Sequence, residues 1–367
     1  MALGLNFGTG ADNDGETLYS AFTKIDSILG SSTKLSNGDL QINGITIGKG
    51  NNSIDTNLVV GNNAGNSITS GNVNLFIGGN AGKSTTTGLL NTFIGLGAGE
   101  FNLTGQNHVY LGLNSGRNNN SVSNTFLGNN TGENNLGQAN VFVGSDSNKS
   151  GSSGSYGTFV GQSAGFNNNG QSNTFIGQSS GYSNDSGQFH AFLGQNSGYG
   201  QNSGVGCTFL GWNAGSSSTS FNNATAVGYN AQPNGSNQIT LGNGDIQYLR
   251  CAVTSITSLS DERDKTDIIE ISEGLEFVDK LKPVTFTWNK RDSNITGVKA
   301  TGFIAQDLLE LQNESSIGEN LDLVSETDPE RLEARYSNLL PVLVKAIQEL
   351  SLEVKSLKSE IELLKAI

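Results

Sequence analysis

Asn91-Thr92-Phe93-Ile94-Gly95-Leu96-Gly97-Ala98-Gly99 decides the fold, because the chain repeats it. Its aromatic–aliphatic–glycine triplet, or a close variant, occurs as Val59-Val60-Gly61, Phe76-Ile77-Gly78, Phe93-Ile94-Gly95, Tyr110-Leu111-Gly112, Phe126-Leu127-Gly128 and Phe142-Val143-Gly144. It continues as Phe159-Val160-Gly161, Phe175-Ile176-Gly177, Phe192-Leu193-Gly194, Phe209-Leu210-Gly211 and Ala226-Val227-Gly228. The glycines step by 16 or 17 residues through these eleven copies. A fixed short period of this kind marks a solenoid or rolled array, in which each copy buries its apolar face only against its neighbours. Thr-Phe-Ile is a short β-prone run. The small residue that follows, as at Ala64, Ala81, Ala98, Ala164 and Ala214, suits a crowded interior, and the glycine after it suits a turn with positive φ. At a rung spacing of ~4.8 Å, eleven rungs would form a stack of roughly 50 Å. Asn91, Asn124, Asn140 and Asn173 occupy equivalent positions and are expected to form hydrogen-bonded ladders between rungs.

Composition narrows the function classes. The 367 residues include 50 Gly but only four Pro, and no Gly-X-Y triplet runs through them, which excludes collagen. The net charge of −13 argues against nucleic acid and against anionic lipid as partners. No run of eighteen apolar residues exists, so no membrane insertion is expected, and Met1-Ala2-Leu3-Gly4-Leu5-Asn6-Phe7 has no basic or apolar leader pattern. Cys207 and Cys251 stand alone, which gives neither a disulfide framework nor a metal site and fits two reduced structural cysteines. No cofactor and no metal are expected.

The flanks differ from the repeats. In residues 14–29, Leu18, Phe22, Ile25 and Leu29 fall on one helical stripe, too short to stand alone. A helix packed on its own chain and a small trimeric bundle docking onto a larger particle fit this stripe equally. Asp39-Leu40-Gln41-Ile42-Asn43-Gly44-Ile45-Thr46-Ile47 reads as a hairpin with an Asn-Gly turn leading into the repeats. At the other end, Leu340, Ile347, Val354 and Ile361 alternate with Leu343, Leu350, Leu357 and Leu364 in heptad a and d positions. This pattern predicts a coiled coil; β-branched a with Leu at d favours dimers in isolated peptides, so a trimer would need the rest of the chain to override that preference.

A seam separates the two regimes. Residues 51–250 hold ten charged residues and residues 260–367 hold thirty-five. Leu259-Ser260-Asp261-Glu262-Arg263-Asp264-Lys265 lies on it. Covalent catalysis needs a nucleophile and a base within reach of each other, and Ser260 and Lys265 supply both kinds of group. The lysine must be neutral to accept a proton, which calls for a desolvated site. Only two histidines exist, His108 and His190, and both lie inside repeats, so a Ser-His-Asp triad at the seam is not expected and a Ser-Lys pair is the economical choice. Spacing by itself leaves the simpler reading open: a serine capping a turn and a solvated lysine.

Two resemblances sharpen these readings. The repeats over residues 57–242 resemble the head repeats of trimeric autotransporter adhesins and similar repeats in phage tail fibres, with a slightly longer period than many adhesin heads. That likeness implies a β-roll in which three chains pack side by side. Ser260-Asp261-Glu262-Arg263-Asp264-Lys265-Thr266-Asp267-Ile268 resembles the start of the intramolecular chaperone domain of phage tailspikes, the S74 family of self-cleaving peptidases. Further matches follow in order at Gly274-Leu275-Glu276-Phe277-Val278, Leu281-Lys282-Pro283-Val284-Thr285-Phe286-Thr287-Trp288, Thr301-Gly302-Phe303-Ile304-Ala305-Gln306-Asp307 and Tyr336-Ser337-Asn338-Leu339-Leu340-Pro341. The family usually carries a bulky apolar residue where this chain has Asp264. The resemblance implies a mainly helical, trimeric domain that helps three chains find register. It also implies cleavage between Leu259 and Ser260, with Ser260 attacking the Leu259 carbonyl, Lys265 as base, and backbone N–H groups near Asp261 as oxyanion donors.

The expected architecture is therefore an N-terminal attachment or trimerisation segment (1–50), a mainly β repeat shaft (51–259) and a mainly α chaperone domain ending in a coiled coil (260–367). The expected function is that of a homotrimeric phage tail fibre, made in the host cytoplasm and carried on the virion. Its N-terminus would bind tail or baseplate proteins, and its shaft a glycan or protein of the host surface. Alternatives are a bacterial trimeric surface adhesin and a glycan-degrading tailspike. The latter usually needs two neighbouring carboxylates, whereas Asp55, Glu100, Glu133, Asp146, Asp185 and Asp245 are scattered through the shaft. Phe166 and the candidate glycan-contact residues Tyr182, Tyr199, Trp212 and Tyr229 are suited to stacking on sugar rings; equally, they suit covering the roll surface.

Overall fold

The computed structural model describes residues 32–35, 37–217, 219–252, 256–291 and 296–366. The apolar stripe at Leu18–Leu29 lies outside the described residues. The chain forms two compact units, 1–243 and 244–367. The second begins upstream of the Leu259–Ser260 seam.

The first unit is one sheet of fifteen strands in sequence order, a β-solenoid. It opens with β1 (Ser32–Lys34), β2 (Leu40–Ile42) and β3 (Ile45–Gly48), paired antiparallel, and β3 pairs antiparallel with β4 (Leu58–Gly61). Asn43 and Gly44 both have positive φ, 49° and 82°, as the two-residue hairpin between β2 and β3 requires. The buried Asp39 carboxylate holds the junction, accepting from the backbone N–H of Lys49 at 2.7 Å and of Gly50 at 2.9 Å.

From β4 onward every pairing is parallel and in register. The rungs are β5 (Leu75–Ile77), β6 (Thr92–Ile94), β7 (Val109–Leu111), β8 (Thr125–Leu127), β9 (Val141–Val143) and β10 (Thr158–Val160). They continue through β11 (Thr174–Ile176), β12 (Ala191–Leu193), β13 (Thr208–Leu210), β14 (Thr225–Val227) and β15 (Ile239–Leu241). The central residue of each triplet points inward. Nine aromatic rings from Phe76 to Phe209 stack in one column, with centroids 4.6–5.0 Å apart and planes within 15° of parallel. That spacing exceeds the ~3.5 Å of direct carbon contact, so the rings are slipped over one another, the arrangement that aromatic quadrupoles favour.

The triplet glycine is fixed by the neighbouring rung. At Gly144, φ is 127°, and a Cβ there would lie 2.4 Å from the Gly161 carbonyl oxygen. The Asn ladders form, but not amide to amide. Each Asn Oδ1 accepts from the backbone N–H of the equivalent residue one rung on: Asn74 from Asn91 at 3.1 Å, Asn91 from His108 at 3.1 Å, and Asn124 from Asn140 at 2.8 Å. Each Nδ2 donates to a glycine carbonyl at the rung's far corner, as Asn91 does to Gly105 at 2.9 Å and Asn124 to Gly137 at 2.9 Å. These bonds satisfy polar groups that the roll encloses.

His108 and His190 occupy the same ladder position. His108 Nδ1 accepts from the Asn124 N–H at 3.1 Å and its Nε2 meets the Ser121 carbonyl at 3.0 Å, an arrangement that demands the neutral Nε2–H tautomer. His190 Nδ1 accepts from the N–H of Cys207, a buried free thiol, at 3.0 Å. Burial lowers both histidines from 6.5 to about 4.

The second unit contains α1 (Leu275–Lys280), α2 (Ala305–Glu314), α3 (Gly318–Leu321) and the long α4 (Leu340–Lys365). Two antiparallel pairs accompany them: β16 (Val284–Asn289) with β17 (Thr296–Gly302), and β18 (Val324–Ser325) with β19 (Glu333–Ala334). Phe277, Leu308, Leu311, Leu323, Leu339 and Val342 form the core. The Glu349 carboxylate on α4 accepts from the Leu275 N–H at 2.7 Å, capping α1. Tyr336 Oη donates to the Phe303 carbonyl at 3.1 Å and accepts from its N–H at 3.2 Å, joining two of the quoted sequence motifs. Val342 and Ala346 turn α4 toward this core, whereas all eight a and d residues of the heptad stripe are exposed. Among the described residues, no helix is long and apolar enough to cross a membrane.

Candidate functional site

The seam residues come together. A short 3₁₀ turn at Glu262–Asp264 follows Asp261, whose carboxylate caps it by accepting from the Arg263 N–H at 2.9 Å and from the Arg263 guanidinium at 2.6 Å. The turn reverses the chain and brings Lys265 back over Ser260. Lys265 Nζ donates to Ser260 Oγ at 2.6 Å and to the Ser260 carbonyl at 3.2 Å. Leu259 is fully exposed, and Ser260 and Lys265 are exposed. The Asp261 carboxyl is held below the ordinary carboxylate range by its bonds to Arg263. The Asp261 N–H has no partner among the described residues, as an oxyanion donor requires.

In one chain the pair is thus assembled but solvated. Lys265 donates to the serine here, and a lysine acts as a base only after losing a proton. The geometry meets the distance requirement for a nucleophile and base, and burial is the element that a single chain does not supply.

The surface aromatics separate into two groups at different positions of the rung. Phe166, Tyr182 and Tyr199 each follow the second glycine of their repeat and stack at 5.0 Å. Trp212 and Tyr229 follow the triplet glycine and stack on each other at 4.8 Å. Each ring thus spends face area on a neighbouring ring. Sequence reading missed what shares the first column nearer the N-terminus. There Lys83, Glu100, Arg117, Glu133 and Lys149 alternate in charge, with Arg117 2.8 Å and Lys83 3.9 Å from the buried Glu100. The signal was available as residues one repeat apart.

Four of the six shaft acids are occupied separately: Asp55 by Lys49, Glu100 by Arg117 and Lys83, Asp146 by Lys149 and Asn130, and Asp185 by Asn169.

Comparison with known families agrees with the seam. The model of a peptidase S74 family described as chaperone of endosialidase matches residues 260–316. The match begins at Ser260, spans α1, the β16–β17 pair and α2, and leaves α4 outside it. No curated protein matches the chain, and no solved structure does. A β-solenoid shaft followed by a domain of this family fits a tail fibre with a C-terminal chaperone.

Proposed function

We propose, taking a repeat shaft joined to a chaperone-of-endosialidase domain as premise, that this chain is a homotrimeric phage tail fibre that assembles through its C-terminal domain and then cuts that domain off. Attachment of the virion to a host-surface glycan or protein is its task, with the N-terminal segment binding a tail or baseplate protein. The observation that carries the cleavage reading is the 2.6 Å contact between Lys265 Nζ and Ser260 Oγ at the first residues of the family match. The exposed apolar seam of α4 supports association with copies of itself, because an a/d heptad stripe facing water is the surface that a coiled coil buries.

The step proceeds as an acyl shift and a hydrolysis. Burial by neighbouring copies makes Lys265 neutral, and it takes the Ser260 hydroxyl proton. Oγ bonds to the Leu259 carbonyl carbon, the Asp261 N–H stabilises the oxyanion, and the Leu259–Ser260 C–N bond breaks as the nitrogen is protonated. Water then hydrolyses the ester, leaving a Leu259 carboxylate and a free Ser260 amine and hydroxyl. The logic of assembly is kinetic. Stacking non-local strands is slow and exposes edges, so a clamp that holds three chains together lowers the entropic cost. Once the clamp leaves, the shaft persists because it unfolds slowly.

Intact mass of purified protein beside Ser260→Ala tests this. A wild-type product ending at Leu259 with a full-length variant is expected. A wild-type chain that stays full length in folded trimers would refute cleavage and make the domain a permanent trimeriser.

A further inference from the structure

We propose that the trough along rungs from Ser150 to Ser220, beside the Phe166–Tyr182–Tyr199 column, binds an uncharged glycan chain. The inference deepens the attachment reading and rests on it for its biological sense. The trough is an open groove of about 570 Å³ lined by Asn167, Asn169, Ser183, Asp185 and Asn202 among others. Asn167, Ser183 and Gly200 each directly follow a ring of the column, so rings and trough run side by side.

The polar groups here differ in whether they are spent. Asn169 Nδ2 donates to Asp185 at 2.7 Å, and its Oδ1 accepts from the Ser152 N–H at 2.6 Å. By contrast, the side chains of Asn167, Ser183 and Asn202 and the hydroxyls of Tyr182 and Tyr199 make no hydrogen bond among the described residues. An amide offers a donor pair and an acceptor together, which matches neighbouring sugar hydroxyls. Because the rings stack face to face, they present edges and hydroxyls rather than open faces, and sugar contact is chiefly hydrogen bonding. Gly200 withholds a side chain where the preceding rungs have Asn167 and Ser183, which widens the trough at that end.

Charge selects the ligand class. No Lys or Arg lines the trough, and Asp185 contributes a carboxylate, so a polyanion would meet repulsion and no counter-charge. The site is also local. Nearer the N-terminus the same column holds charged residues, with Glu100 paired to Lys83 and Arg117, and the change to aromatics begins at Phe166, on the rung after Ser150.

The test uses the full chain on an array of immobilised neutral and acidic bacterial polysaccharides, with titration calorimetry of whatever is retained. Expected are retention of neutral polysaccharides, at least tenfold weaker binding by the Asn167→Ala/Asn202→Ala double variant, and unchanged binding by Asn118→Ala, which breaks a surface amide pair with Asn134 outside the trough. Retention of acidic polysaccharides alone, no retained polysaccharide, or equal binding by the double variant would overturn the proposal. Binding is read apart from cell attachment and from self-cleavage, so the failure of any one reading leaves the others distinguishable.

Discussion

Replacing both ladder histidines by asparagine, His108→Asn/His190→Asn, should make the shaft resist acid. Asparagine is the native residue at this position on neighbouring rungs, where it accepts the next rung's N–H and donates to a glycine carbonyl. His108 makes the same two bonds while neutral. Protonating its Nδ1 would destroy the first bond and bury a charge beside the stacked rings of Phe93 and Tyr110. The folded value of about 4 lies below the ordinary 6.5, so as pH falls the unfolded chain takes up protons first. Stability is therefore full above pH 6.5, declines as pH falls toward 4, and is lowest below that. The fall from 6.5 to about 4, at about 1.36 kcal/mol per pH unit, gives about 3 kcal/mol for each histidine at the acid limit. At pH 5 the same linkage gives about 2 kcal/mol each, or about 4 kcal/mol for the pair. The assay is denaturant unfolding at pH 7.5 and pH 5, or unfolding rates where refolding fails. Carboxylates titrate equally in both proteins, so the difference between them isolates the histidines. If wild type and double variant lose the same stability between the two pH values, the buried neutral histidine reasoning is refuted.

Two further outcomes follow from packing. Gly144→Ala places a Cβ 2.4 Å from the Gly161 carbonyl oxygen in a left-handed backbone, so the rungs must part; a loss of at least about 3 kcal/mol is expected in denaturant unfolding, and a loss under about 0.5 kcal/mol would contradict it. Glu349→Ala removes the charged acceptor of the Leu275 N–H and should cost the second unit about 1.5–3 kcal/mol by thermal unfolding, with Glu349→Gln recovering part of it.

The rung strands were legible because their apolar residues recur at one spacing and each triplet ends in glycine. The hairpin at Asn43-Gly44 was legible because those two residues together tolerate positive φ. What the triplet glycine is for was not legible, since the atom that forbids a side chain belongs to a residue 16 or 17 positions away. The histidines were visible as rare residues inside repeats, but their kinship with asparagine appears only in the bonds of their ring nitrogens: His108 makes both of the amide's bonds and His190 makes the first. At the seam, residue types and order named Ser260 and Lys265, and the capped turn brings them to 2.6 Å. Their exposure could not be read, because solvation at the end of a single chain is set by what packs against it.

The uniform rung register makes length a countable property. Every rung from β4 to β15 meets its neighbours through equivalent three-residue strands in register, each ending at a glycine. Inserting or deleting a whole repeat would leave each remaining junction as it is now and change reach by one step of ~4.8 Å. A single-residue change inside the triplet would instead turn the aromatic from the core to water. The steps of both 16 and 17 residues show where slack is tolerated, in the polar stretches between triplets. The reach of such a shaft can therefore be altered in whole quanta without redesigning its core.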